Sequence, residues 1–201
     1  RAWYGGRPVL LAASTREGEE ALILDALVRH PLAGDALVVI VPRHPQRFDA
    51  VARLFESRGL RFARRSAAVL DGPALDRATA FLLGDSMGEM AAYYRAADVA
   101  FIGGSLLPYG AQNLIEACAA GVPVLIGPSS FNFAQAAELA IEARAAHRVE
   151  SADDLAVVAA RLLADRAQRR QMARRGEEFA AAHRGATERT LGILEPLIGA
   201  R

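Results

Sequence analysis

The chain has no lysine: its 24 basic residues are all arginine, set against 23 acidic ones for a net charge of +1. That balance argues against a non-specific nucleic-acid binder, which needs a basic surface. With alanine so abundant, the arginine usage reads as compositional bias, so no arginine earns a role by type alone. A single cysteine, Cys118, excludes an internal disulfide and any C-x-x-C zinc pair. A reducing compartment and a metal-free fold are the simplest expectation. No apolar run approaches the roughly 18 to 20 residues of a membrane span; the longest, Ala36 to Val41 and Val122 to Ile126, have strand length. Walker A, H-E-x-x-H, G-x-S-x-G and dinucleotide G-x-G-x-x-G motifs are all missing, which removes support for those chemistries. Residues Arg1 to Gly6 show neither the apolar core nor the cleavage site of a signal peptide and read as a linker.

What is present is apolar and periodic. Hydrophobic residues make up 52% of the 201 positions, enough to exclude a disordered chain and to build one domain with a substantial core. Short β-rich runs alternate with amphipathic stretches. Strands are predicted at Val9 to Ala13, Leu37 to Val41, Leu60 to Ala63, Thr79 to Leu83, Val99 to Ile102 and Pro123 to Ile126. Helices are predicted at Glu17 to Arg29, Gln46 to Ser57, Gly88 to Arg95, Asn113 to Ala120 and Phe133 to Ala143. Residues 64–78 carry no clear period. Near-continuous apolar strands between helices predict an α/β fold, a doubly wound, mostly parallel, Rossmann-like sheet. After His147-Arg148-Val149 the strands stop, and Asp153 to Ala164, Ala167 to Ala182 and Thr187 to Leu197 predict a helical C-terminal tail. The chain is read as a single domain, with residues 1–7 as linker, 8–150 as the α/β core and 151–201 as the tail.

Ligands of such sheets sit beyond the carboxyl ends of the strands, so the strand-to-helix junctions are the candidate sites. At the first, Ser14 and Glu17 match a capping box; alternatively the helix-start amides and the Ser14 and Thr15 hydroxyls face an anion. Glu19 and Glu20 suit the first helical turn. At the second, Pro42 and Pro45 bracket Arg43 and His44, and a guanidinium held there can clamp a phosphate. At the third, Gly84-Asp85-Ser86-Met87-Gly88-Glu89, Ser86 and Glu89 again match a capping box. The flanking glycines there allow a ligand close to the backbone; Met87 is carried as a candidate beside them, with packing as its simpler role. The fourth junction holds Gly103, Gly104 and Ser105, then Asn113 and Glu116 one helical turn apart. Their amide and carboxylate share a face, as recognition of vicinal ribose hydroxyls requires; the other reading is a cap with its partner. Cys118 reads as a small buried hydrophobe.

These segments, Ala13 to Glu20, Val41 to Phe48, Gly84 to Glu89, Phe101 to Leu106, Asn113 to Ala117 and Gly127-Pro128 to Asn132-Phe133, occur in an order that resembles the C-terminal half of 3-deoxy-D-manno-octulosonic acid (Kdo) transferases. The similarity runs from about Pro8 to Ala146 and fades in the tail. The resemblance implies one half of a GT-B glycosyltransferase of lipopolysaccharide biosynthesis, in which this domain binds the donor CMP-Kdo. An N-terminal domain absent from this chain would hold the lipid A precursor and the carboxylate base. It implies that Ser14, Arg43, Ser86, Gly88 and Glu89 surround the CMP phosphate and base, and Asn113 and Glu116 the ribose, with neither metal nor cofactor. It further implies peripheral membrane contact through the missing half only, a full-length enzyme at the cytoplasmic face of the inner membrane and a soluble fragment. The last helix, Thr187 to Leu197, would cross back to the absent domain. Departures are the residues at Arg16, Ala111-Gln112, Leu114 and Ser129, where the family usually has His, Gly-His, Pro and His. They leave two alternatives open: a related half using another sugar nucleotide, as a UDP-sugar transferase or epimerase does, and a non-catalytic α/β binding module.

Overall fold

The structure, a computed structural model, describes residues 2–68, 72–183 and 191. Among them, seven strands form one wholly parallel sheet: β1 (Val9–Thr15), β2 (Leu37–Pro42), β3 (Phe62–Arg64), β4 (Phe81–Leu83), β5 (Val99–Ile102), β6 (Val124–Ile126) and β7 (Ala146–Arg148). Their spatial order is β3-β4-β2-β1-β5-β6-β7. The connecting helices are α1 (Glu19–Arg29), α2 (Phe48–Ser57), α3 (Met90–Ala96), α4 (Ile115–Ala119) and α5 (Ala134–Glu142), followed by α6 (Ala152–Ala164) and α7 (Arg166–Ala182).

The alternation of side chains along each strand splits the core into two layers. Leu11, Val39, Ile102 and Ile126 face one side with Leu114, just before α4, and with Tyr93, Tyr94, Cys118, Ala137 and Phe179 of α3, α4, α5 and α7. Leu10, Ile40, Phe101 and Leu125 face the other with Ile23, Val51, Phe55, Leu155 and Leu162 of α1, α2 and α6. Helices on both faces make the sheet doubly wound, as the strand composition predicts. Ser151 and Asp165 cap α6 and α7 through side-chain bonds to the Asp154 and Gln168 amides, at 3.1 and 2.9 Å.

Three details add to the expectation or depart from it. A seventh strand, β7, occupies the edge where the strands were expected to have ended; its three residues are too few to show an alternation. The two short strands β3 and β4 are inverted relative to chain order, because β4 inserts between β3 and β2. Residues 2–7, read as linker, are anchored: Tyr4 joins the core, and the buried Arg7 guanidinium donates to the Tyr4, Arg77 and Thr79 carbonyls at 3.3, 3.2 and 2.8 Å. The helix expected at Thr187 to Leu197 lies, Leu191 excepted, outside the described residues. Among the described residues no helix is long and apolar enough to cross a membrane.

Candidate functional site

The chain runs outward from β1 to β2 and on to β3 at the edge, comes back to β4, and then places β5 on the opposite side of β1, so the crevice of a parallel sheet opens beyond β1 and its neighbours. A cleft of about 250 Å³ lies there, bordered by the loops after β1, β2, β4 and β5. Eight of the candidate residues line it: Ser14, Arg43, Ser86, Met87, Gly88, Glu89, Asn113 and Glu116. Thr15, His44, Gly104 and Ser105 do not.

The split follows from the backbone. The β1–β2 register slips between Ala13 and Thr15, so Ser14 is an extra, bulged residue with φ of +56°. Bulging turns the Ser14 side chain to the cleft and leaves Thr15 wholly buried. The Thr15 hydroxyl donates to Glu20 Oε1 at 2.6 Å. Gly103 brings the loop after β5 against this bulge; a Cβ on it would lie 2.5 Å from the Ser14 carbonyl oxygen. Ser105, also buried, donates to the Ile102 carbonyl at 2.5 Å and accepts the Gly127 amide at 2.8 Å, so its hydroxyl stitches two loops. His44 is exposed on the rim.

The Ser14–Glu17 capping box does not form, since α1 starts at Glu19 behind a left-handed Gly18. Glu19 takes the role instead: its carboxylate accepts the amides of Arg16, Gly104 and Leu106 at 2.8, 2.7 and 2.9 Å. The Arg16 amide, available to an anion in the sequence reading, is thereby occupied. Burial pushes the Glu19 carboxyl above its ordinary range, against the downward pull of those three bonds. Beside it Glu20 is 1% exposed and chelated by Arg47, Nη1 to Oε1 at 2.6 Å and Nη2 to Oε2 at 2.8 Å. The two carboxylates lie in the first helical turn, as the sequence implies, and there form the buried support of the cleft.

On the opposite wall Ser86 and Glu89 do pair, though not as a capping box. The Ser86 hydroxyl donates to Glu89 Oε2, whereas a box needs it to accept a backbone amide. Tyr93 Oη lies 3.0 Å from Ser86 Oγ, and burial pushes its phenol up to about 12. Gly84 leaves the room that Tyr93 needs, because a Cβ there would stand 2.9 Å from Tyr93 Oη. Asn113 Nδ2 donates to Glu116 Oε1 at 3.0 Å while its Oδ1 accepts the Ile115 amide at 3.0 Å, so the amide and carboxylate lie side by side as the spacing implies. Arg43 Nε donates to Gln112 Oε1 at 3.1 Å across the cleft mouth.

The sequence reading missed several lining residues: Val41, Pro42, Met90, Tyr93, Tyr94 and Gln112. The Tyr93-Tyr94 pair in a short helix was the available signal. Among the described residues the lining holds two carboxylates, Glu89 and Glu116, and one cation, Arg43. No three His, Cys, Asp or Glu side chains among them gather to hold a metal. With hydroxyls, amides and carboxylates on facing walls, the cleft can hydrogen-bond a polar, hydroxyl-bearing ligand and meet a negative group at Arg43.

The family described as Glycosyl transferases group 1 matches residues 74–179. The chain is similar to the 3-deoxy-D-manno-octulosonic acid transferase of Bordetella pertussis, 50% identical over 98% of this chain and 47% of that protein. The transferase of the same name from Haemophilus influenzae is 36% identical over 98% of this chain and 45% of its own length. The chain therefore spans about half the length of these curated relatives. Among solved structures, the C-terminal CMP-Kdo binding domain of WaaA from Acinetobacter baumannii superposes with a TM-score of 0.81 at 32% identity, over 89% of this chain and 92% of that one.

Proposed function

Since this chain belongs to the group 1 glycosyl transferases, we propose that it is the donor-binding half of a Kdo transferase and that its cleft holds CMP-Kdo. The observation that carries this reading is the convergence of Ser14, Arg43, Ser86 to Glu89, Asn113 and Glu116, from four strand-to-helix junctions, on one cleft. Support comes from the likeness to a CMP-Kdo binding domain and to two Kdo transferases. Glu116, oriented by Asn113, accepts from the ribose hydroxyls; Ser14, Arg43, Ser86, Gly88 and Glu89 surround the phosphate and base, with the Arg43 guanidinium meeting the phosphate. In the reaction the acceptor hydroxyl attacks the anomeric carbon, CMP departs with the bonding electrons, and a base removes the hydroxyl proton. The lipid A precursor and that base belong, on this reading, to the other half of the enzyme. The full-length protein then works at the cytoplasmic face of the inner membrane.

Calorimetric titration of the chain with CMP and with UMP tests the proposal. CMP preferred over UMP is expected, at weak affinity because one wall of the cleft comes from the other half. A preference for UMP supports the other-donor reading. Absence of binding at high millimolar concentrations of both sinks the nucleotide reading altogether and leaves a binding module.

A further inference from the structure

We infer that Arg65 is a positioning residue for this cleft: by pairing with Glu89 it fixes that carboxylate and offsets its charge, so that an anionic nucleotide can sit beside it. The inference rests on the nucleotide reading above. Arg65 belongs to the stretch of sequence without any periodicity, in a tight 3-10 turn, Arg65–Ala67, directly after β3.

The turn is clamped from beneath. Asp85, at the carboxyl end of β4, has a side chain only 1% exposed. It accepts the Ser66 amide at 2.7 Å on Oδ1, and the Ser66 hydroxyl and Arg64 Nε at 2.6 Å each on Oδ2. Burial alone would push the Asp85 carboxyl up; the Ser66 and Arg64 bonds outweigh it and hold the group below its ordinary value, ionised. Arg64 also reaches Asp49 at 2.8 Å. With the turn fixed in this way, Arg65 Nη2 reaches Glu89 Oε1 at 2.5 Å, its side chain 18% exposed.

Glu89 is consequently engaged on both oxygens, by Arg65 on one and Ser86 on the other, and Ser86 in turn touches Tyr93. Glu89, Ser86 and Tyr93 line the cleft; Arg65 does not and acts through them. Two carboxylates and one cation on the lining make a poor field for a phosphate, and like-charge juxtaposition is costly. Arg65 restores the balance from behind the wall, where it occupies none of the ligand's space. A merely structural tie would not depend on whether the ligand carries charge.

That difference defines the experiment. Affinities for CMP and for uncharged cytidine are measured calorimetrically on the wild-type chain, Arg65→Met, Glu89→Gln and the double variant, with melting temperatures alongside. Arg65→Met is expected to weaken CMP by on the order of tenfold or more, and cytidine by less than about threefold. In the Glu89→Gln background the same substitution should weaken CMP clearly less than in the wild type, because the carboxylate that Arg65 holds in place is gone. Arg65→Gln, which keeps a donor near Glu89 without the charge, carries the same comparison should Arg65→Met fail to fold. Equal weakening of CMP and cytidine in both backgrounds, or no weakening of CMP, overturns the inference. Should the wild type prefer UMP, the donor reading falls and the Arg65 comparison is read with UMP against uridine. A wild type that binds neither nucleotide overturns both.

Discussion

Replacing Arg47 by methionine should expose how strongly the support of the cleft depends on one ion pair. Glu20 is 1% exposed and its partner Arg47 21% exposed by side chain, and the two Nη atoms each donate to one carboxylate oxygen. The Glu20 bonds, ahead of the opposing cost of burial, raise the Arg47 guanidinium above its ordinary value. In Arg47→Met the Glu20 carboxylate keeps the Thr15 hydroxyl at 2.6 Å and loses its counter-charge. An uncompensated buried charge of this kind costs about 3–5 kcal/mol. For a chain of this size that loss corresponds to a fall of about 6–20 °C in melting temperature. Urea unfolding at neutral pH, followed by circular dichroism and checked for an unchanged slope, measures it directly. Glu20→Leu combined with Arg47→Met removes both charges and should recover at least about half of the loss. The reasoning is refuted by an Arg47→Met variant within about 1 kcal/mol of wild type, the range of exposed pairs, or by a double variant no more stable than the single.

Three further outcomes are expected. Glu19 has a raised carboxyl in the folded chain, so its contribution to stability is full below the ordinary glutamate value of about 4.3 and falls as pH rises through the raised value. The stability difference between wild type and Glu19→Gln should therefore decrease with pH above about 4; urea midpoints that diverge upward with pH contradict this. Cys118 is wholly buried and burial pushes its thiol up to about 12, so a disulfide reagent should label the native chain at least about a hundredfold more slowly than the urea-unfolded chain. Equal rates would show that the helix opens readily. Glu116→Gln should weaken CMP about tenfold or more, the worth of a hydrogen bond to a charged group, and leave the melting temperature within about 2 °C; an unaltered affinity removes Glu116 from the ribose site.

The parallel sheet was legible because Leu37 to Val41 and Val99 to Ile102 are apolar on both faces, a pattern that only a doubly covered strand needs. The switch from continuous apolar runs to helical spacing located the junctions, and with them the cleft. Side-chain direction within a junction was less legible. Ser14 and Thr15 are neighbours with similar hydroxyls, yet one lines the cleft and the other bonds Glu20 in the core, because a one-residue bulge reverses which side each faces. Glu19 and Glu20 obeyed the rule for acidic residues in a first turn, but the loops after β2 and β5 close over them with Arg47 and the Gly104 and Leu106 amides. Arg65 fell in a stretch without period, where sequence pattern says nothing about the destination of a side chain.

By itself, then, the sequence determined the layered α/β architecture and the rim at which the polar junction residues gather, since hydrophobic periodicity acts along a local segment and needs no partner. Which acids become buried supports, which hydroxyls reach the cleft and which distant arginine balances Glu89 were decided by the tertiary structure alone. Those outcomes depend on pairs of groups separated by tens of residues, such as Arg65 with Glu89 and Glu19 with Gly104, whose meeting is fixed only when the strands have been ordered and their connecting loops closed over one another.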